Sequence, residues 1–115
     1  MPLATVPLDE VDNDGDVVRF EYRDRFDRLW GGFVLRFGGQ LYAYQNRCPH
    51  RGTPLDADGD RLFDGMDIIC ATHGARFEPD GGRCVAGPCA GDQLRRLSVG
   101  VDGDRVVIDR PGLSL

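Results

Sequence analysis

Short segments of this chain alternate apolar and polar residues, and turns that contain glycine separate them. The alternating segments are residues 18–22, 33–37, 97–101 and 106–108. A period of two places every second side chain on the same face of a strand, which is typical of strands with one buried face. No stretch shows the longer apolar stripe of a helix. The pattern predicts an all-β protein, an antiparallel β-sandwich or partly open barrel.

Two glycine pairs make local predictions within this pattern. Gly38-Gly39 separates residues 33–37 from residues 41–45, and glycines at both turn positions are typical of a β-hairpin. Gly31-Gly32 lies inside a strand pattern, where glycine often marks a bulge or a close backbone approach. We therefore expect a hairpin at the first pair and one of those two irregularities at the second.

Length and hydropathy limit the class of protein. The chain has 115 residues, and at this length we expect one domain spanning residues 1–115. Its hydrophobic fraction of 41% is typical of a globular protein. No apolar run reaches the roughly 18 residues that cross a bilayer. The N-terminal segment lacks the basic start and the apolar core of a secretory signal. These features predict a cytoplasmic protein with no membrane partner.

The chain carries a net charge of −5, and its 14 basic residues are all arginine. Binding to nucleic acid phosphates requires a basic patch, which this overall balance disfavours. A negative surface favours docking onto a basic surface of another protein. We therefore expect protein partners and no nucleic acid.

Each of the two histidines of the chain follows a cysteine at short spacing. They end the segments Cys48-Pro49-His50 and Cys70-Ala71-Thr72-His73, and a glycine follows closely in both cases. Two thiolates and two imidazoles brought together can hold one tetrahedral zinc ion. The same groups can hold a [2Fe-2S] cluster in which one iron takes both cysteines and the other takes both histidines. Spacing alone leaves both kinds of site open.

With these motifs the chain resembles the Rieske iron-sulfur proteins, and specifically their small soluble ferredoxins. The resemblance extends over residues 33–43, 46–55, 70–77 and Gly87-Pro88. It implies antiparallel sheets with a small cluster-binding subdomain, whose loops are residues 46–55 and 70–77. It also implies one [2Fe-2S] cluster per chain. In that cluster, Cys48 and Cys70 would bind the inner iron, and His50 and His73 the outer iron.

The chain departs from the family pattern in two ways. Members in respiratory complexes have one extra cysteine in each loop, joined as a disulfide, and the matching residues here are Thr53 and Thr72. Those members also place a serine and a tyrosine beside the cluster, and the matching residues here are Ala75 and Phe77. Each lost hydrogen-bond donor removes stabilisation of the reduced cluster, so we expect a low reduction potential.

The resemblance implies a one-electron carrier that is not catalytic alone. It would shuttle electrons from a reductase, the donor, to a terminal oxygenase or another redox enzyme, the acceptor. An oxygenase of this family needs a mononuclear iron held by two further histidines and a carboxylate, whereas both histidines here are assigned to the cluster. Two alternatives stay open. One is a small Rieske-like subunit that resembles the small subunit of assimilatory nitrite reductase, and the other is a zinc-binding structural module.

The two remaining cysteines and the segment between them have simpler interpretations. We expect Cys84 and Cys89 to be small buried hydrophobic residues rather than a disulfide, because disulfides are rare in the cytosol. Gly87-Pro88 between them is expected to pack against the cluster loops.

Charged and aromatic residues near the loops are interpreted in the same way. We expect the acidic residues between the loops to form a solvated linker. We expect the aromatic residues to pack in the core. Arg47 and Arg51 flank the first loop, where partner docking and plain surface charge are both open. The acidic residues are Asp56, Asp58, Asp60, Asp64 and Asp67, and the aromatic ones are Trp30, Tyr42, Tyr44 and Phe77.

Overall fold

A computed structural model of the chain describes residues 2–49, 52–56, 62–70, 74–87 and 91–111. Strands account for most of the regular structure in these ranges, and a short 3-10 helix, Leu8–Val11, follows the first strand. The strands are β1 Ala4–Pro7, β2 Val17–Arg23, β3 Leu29–Phe37, β4 Gln40–Gln45, β5 Ile68–Cys70, β6 Ala75–Phe77, β7 Cys84–Ala86, β8 Arg96–Asp102 and β9 Arg105–Asp109.

The strands form two antiparallel sheets. The larger sheet has the order β1-β9-β8-β4-β3-β2, and the smaller one has the order β5-β6-β7. The outer strands β1 and β2 contact each other, so the larger sheet curls almost into a barrel, which leaves few exposed edges. The predicted all-β architecture with a small additional subdomain is confirmed.

Strand β3 lies between β2 and β4 in the larger sheet and buries both of its faces. Phe33 and Leu35 face a core that also contains Cys48 and Cys70. Val34, on the opposite face, packs into a second core inside the curled sheet. Full burial of an apolar side chain of this size contributes about 1.5–3 kcal/mol. One strand thus joins the barrel to the core that surrounds the cysteines.

The predicted hairpin at Gly38-Gly39 is confirmed. Phe37 pairs with Gln40 across the turn, and the two glycines have φ angles of +60° and +80°. Positive φ at both central residues fits the twist of the two strands, and only glycine adopts it without strain.

The second glycine pair causes no bulge. Gly31 and Gly32 pair with Glu21 and Phe20 in regular register. A Cβ atom at Gly32 would lie 2.5 Å from the ring of Phe20. The predicted close approach is therefore that of an aromatic ring over the backbone, because glycine leaves room for it.

Cys84 is buried as expected, but the expectation that it forms no disulfide is wrong, because this residue is disulfide-bonded. Cys84 is 8% exposed and lies opposite Phe77 in the smaller sheet. Cys89 lies outside the described residues. The redox compartment indicates where disulfides persist, but not which sulfur atoms a fold brings within bonding distance.

None of the helical segments in the described residues is long and apolar enough to cross a membrane.

Candidate functional site

The first cysteine loop leaves the larger sheet at the end of β4 and turns sharply at Cys48. The N–H of Gly52 donates to the carbonyl of Cys48 at 2.6 Å, and the N–H of Cys48 donates to the carbonyl of Thr53 at 2.7 Å. Gly52 has a φ of +75°, in a region that costs other residues roughly 1–2 kcal/mol. The backbone therefore closes tightly around the cysteine.

The second cysteine loop repeats this turn in the smaller sheet. Cys70 ends β5, and the N–H of Gly74 donates to its carbonyl at 3.0 Å. Gly74 has a φ of +67°, and Ala75 then pairs with Cys70 as β6 begins. Each cysteine carbonyl thus accepts a hydrogen bond from a glycine four residues later, so both loops have the same local design.

Both turns place their cysteines in one buried core. Cys48 and Cys70 are each 1% exposed, belong to the same cluster of buried residues, and do not form a disulfide. Thiolates are the protein ligands that iron-sulfur clusters and structural zinc take. The cysteine half of the predicted ligand set therefore fits a metal centre.

The histidine half of the predicted set, His50 and His73, lies outside the described residues, as does Arg51. Within the described ranges no three His, Cys, Asp or Glu side chains converge on a metal position. The structure thus brings together two of the four predicted ligands.

Asn46 joins the two ends of the first loop. Its Oδ1 accepts from the N–H of Leu55 at 2.8 Å, and its Nδ2 donates to Asp56 Oδ1 at 2.9 Å. Arg19 on β2 donates to Asp56 Oδ2 at 2.7 Å. Burial by itself raises the pKa of Asp56, but the hydrogen bonds from Asn46 and Arg19 hold that pKa below its usual value. The sequence motif included Asn46 without indicating this role.

An ion pair supports the second loop. Arg76 on β6 donates to Asp64 Oδ2 at 2.5 Å and to Asp67 Oδ2 at 3.3 Å. Asp64 Oδ1 also accepts from the N–H groups of Met66 and Asp67. The pKa of Asp64 is held well below its usual range, mainly by the hydrogen bond from the Asp67 N–H and next by the one from the Arg76 guanidinium.

The prediction of a solvated acidic linker is therefore wrong for Asp56, Asp64 and Asp67, which bind arginines from other strands. The reason is that β2 and β6 bring cations to carboxylates that are distant in sequence. Asp58 and Asp60 lie outside the described residues.

The third segment near the cysteines packs closely over the second loop. Gly87 has a φ of +95°, and a Cβ atom there would lie 2.8 Å from Ala75 Cα. Ala75 and Phe77 are completely buried, so the two positions that lack hydrogen-bonding side chains line the core around the cysteines. The packing role expected for Gly87 agrees with this contact, and Pro88 is not among the described residues.

The aromatic residues divide into two groups. Tyr44 and Phe77 are completely buried, which confirms core packing, and the Tyr44 hydroxyl donates to the Pro79 carbonyl at 2.7 Å. Burial raises the pKa of Tyr44. Trp30 and Tyr42 are partly buried and pack against the two cores, and Arg47 and Arg96 lie over their rings at 5.2 and 5.3 Å.

Residues 3–102 match the family described as the Rieske [2Fe-2S] domain. Over 78 residues, the chain is 33% identical to the 3-phenylpropionate/cinnamic acid dioxygenase ferredoxin subunit of Shigella boydii serotype 4, covering 68% of this chain and 71% of that protein. It is 52% identical over 50 residues to the oxygenase component of chloroacetanilide N-alkylformylase from Rhizorhabdus wittichii, covering 44% of this chain and 13% of that protein.

A solved structure shows the same fold. The ferredoxin of carbazole 1,9a-dioxygenase from Nocardioides aromaticivorans superposes with a TM-score of 0.70 at 26% identity, covering 95% of this chain and 97% of that one. The chain spans only 13% to 16% of three oxygenases that it also matches. The family match covers most of the chain and agrees with the two cysteine turns and the two-sheet fold. This chain belongs to the Rieske [2Fe-2S] domain family, whose prosthetic group is a [2Fe-2S] cluster.

Proposed function

We propose that this chain is a one-electron carrier that takes electrons from a reductase and delivers them to a terminal oxygenase in the cytoplasm. The cluster supplies the redox chemistry by gaining and losing one electron, and the protein binds it, shields it and presents it to partners. Similarity to the ferredoxin of carbazole 1,9a-dioxygenase extends over almost the whole of both chains, which supports a carrier rather than a catalytic unit.

We further propose that Cys48 and Cys70 bind one iron of the cluster and that His50 and His73 bind the other. The observation that carries this assignment is the pair of matching turns, Cys48 to Gly52 and Cys70 to Gly74, which direct both cysteines into one buried core. Burial excludes water and competing thiols from the sulfur ligands. Soft thiolates suit iron-sulfur clusters better than oxygen ligands do.

An oxygenase is the favoured acceptor because the relatives described above are components of oxygenase systems. Nothing in the described residues favours a subunit similar to that of nitrite reductase. The zinc-module interpretation loses its support, since the family is defined by a [2Fe-2S] cluster.

The test combines metal analysis, absorption and electron paramagnetic resonance on the protein purified without oxygen. We expect two irons and two sulfides per chain, and a rhombic signal that appears after reduction by dithionite. The variant Cys48→Ser should lose the cluster. Ala43→Ser is the matched control, because it places the same hydroxyl at a small buried residue of the other core, away from both cysteine loops, and it should keep the native spectrum. A colourless protein with one zinc ion would refute the carrier function, and a native cluster in Cys48→Ser would refute the ligand assignment.

A further inference from the structure

A groove lined by arginine lies beside the turn between β2 and β3, and we call it the arginine groove. Its volume is about 640 Å³. The indole of Trp30 forms part of its wall, and residues at the ends of β4 and β9 also line it. Its arginines are Arg23, Arg25, Arg28, Arg47, Arg95 and Arg110.

The groove is strongly positive although the chain as a whole has a net charge of −5. Asp24 is the carboxylate in its lining, and it already accepts from Trp30 Nε1 at 2.8 Å and pairs with Arg28 at 3.4 Å. Arg23 pairs with Asp27. For the other four arginines of the lining the structure shows no ion pair among the described residues. These four are Arg25, Arg47, Arg95 and Arg110. Their positive charge is therefore not neutralised by the parts of the chain that the structure describes.

One end of the groove is continuous with the first cysteine loop. Arg47 stacks on the Trp30 ring at 5.2 Å and immediately precedes Cys48. A Cβ atom at Gly52 would lie 3.2 Å from its Nη2 atom, so the Arg47 guanidinium lies over the turn that holds the cysteine. A partner segment that fills this end of the groove would therefore contact the edge of the loop proposed to bind the cluster.

The exposure of the lining favours a macromolecule over a small ligand. Phe26 is 66% exposed, and the side chains of Arg23 and Arg28 are 57% and 67% exposed. Small-molecule sites enclose most of the ligand surface, about 70–90% of it. Exposed aromatic and arginine side chains together are instead typical of the residues that dominate protein interfaces.

We propose that the arginine groove is a docking surface for an acidic segment on the surface of a redox partner, whose carboxylates pair with Arg25, Arg95 and Arg110. This inference rests on the proposed carrier function and specifies the chemistry of the partner. Charge complementarity supports it, because guanidinium groups pair well with carboxylates in interfaces. Net charge alone indicated a basic partner surface, whereas the local distribution of charge indicates an acidic one at this face.

The test measures binding of a ten-residue oligoglutamate peptide to the cluster-loaded protein. Trp30 is the single tryptophan of the chain, so its indole N–H gives one nuclear magnetic resonance signal inside the groove. We expect that signal to shift with peptide concentration. Replacing Arg25, Arg95 and Arg110 with Gln together should weaken binding by about tenfold or more.

The matched control replaces Arg83, Arg96 and Arg105 with Gln. It removes the same amount of charge outside the groove lining, and binding should change by less than about threefold. Equal loss in both triple variants would show that only net charge matters and would overturn the proposal. It would also be overturned if a short DNA duplex or benzoate shifted the indole signal and oligoglutamate did not.

The cluster spectrum separates this inference from the function on which it rests. Both triple variants should keep the absorption and resonance signals of the wild-type cluster. A wild-type protein without a cluster would refute the carrier function whatever the peptide does. A protein with a cluster and no groove-dependent binding would refute the docking surface alone.

Discussion

Single glycines set the backbone of each cysteine loop. Gly52 and Gly74 both have positive φ and both donate to the carbonyl of the cysteine four residues before. They differ in their surroundings: a Cβ atom at Gly74 would meet no atom within 4 Å, whereas one at Gly52 would meet Arg47. Backbone strain can therefore be measured at Gly74 without a steric clash.

The variant Gly74→Ala should lose about 1–2 kcal/mol of unfolding free energy, because alanine is strained at positive φ. Urea unfolding followed by circular dichroism measures the loss. Gly81→Ala is the matched control, since Gly81 has no positive φ and also has open space at the Cβ position. Equal stability of Gly74→Ala and Gly81→Ala would show that the turn tolerates a side chain.

The effect of a missing hydrogen-bond donor on the reduction potential can be tested at Phe77. This residue is completely buried in the same core as both cysteines, and it offers no hydrogen bond. In Phe77→Tyr, the new hydroxyl would donate a hydrogen bond toward the cluster. Such a bond would stabilise the reduced state, because that state is more negative. A bond about 1.4 kcal/mol stronger in that state raises a one-electron potential by about 59 mV.

Protein-film voltammetry measures this change, and Phe37→Tyr serves as the control. Phe37 is only half-buried and packs edge-on against Phe63 at 5.9 Å, so its hydroxyl should leave the potential unchanged. A potential in Phe77→Tyr no higher than that of the wild type would contradict the role assigned to this position.

Strands β5 and β6 depend on ionic contacts as well as on their short backbone pairing. Arg76 on β6 binds Asp64 in the turn before β5, and Asp64 also accepts two backbone N–H groups of that turn. This arrangement connects the entry to the second cysteine loop with the strand that leaves it. Element boundaries alone do not show the connection, because the two charges are separated by twelve residues.

The contribution of Asp64 to stability should depend on pH in the acid range. Its folded-state pKa is lowered, so the stabilisation is present above the unfolded pKa of about 3.9 and is lost as pH falls through the lower folded pKa. Asp64→Asn should therefore lower the urea midpoint at pH 7, and its difference from wild type should shrink between pH 4 and pH 2.

The exposed residue Asp102, which ends β8 and pairs through its backbone with Arg105, provides the control for the loss of a carboxylate. Asp102→Asn removes the same charge from the surface and should leave the urea midpoint at pH 7 close to that of the wild type. A gap between Asp64→Asn and wild type that stays constant down to pH 2 would mean that ionisation of Asp64 does not stabilise the fold.

At the scale of the whole molecule, the two sheets have different roles. The larger sheet provides a curled scaffold, and both cysteine loops approach the core between that scaffold and the smaller sheet. Charge is also distributed unevenly over the protein. An acidic chain concentrates six arginines in one groove, and that groove borders the first cysteine loop, so the proposed docking surface and the loop proposed to bind the cluster lie on one side of the protein.

Local chemistry in the sequence determined the strand pattern, the hairpin at Gly38-Gly39 and the two segments that contain Cys48 and Cys70. Side-chain period, turn residues and short ligand spacing act over a few residues, so a linear reading detects them. The ligand roles of His50 and His73 stay predictions, since they lie outside the described residues.

Only the tertiary structure decided which distant residues meet. It paired Arg76 with Asp64, placed the Phe20 ring over Gly32 and made Cys84 part of a disulfide. It also brought the six arginines of the groove together from four separate parts of the chain. These contacts depend on how strands pack in three dimensions, and no spacing along the chain encodes that packing directly. The sequence by itself therefore determined the type of fold and the chemistry of the candidate site, and the packing of its strands decided what surrounds that site.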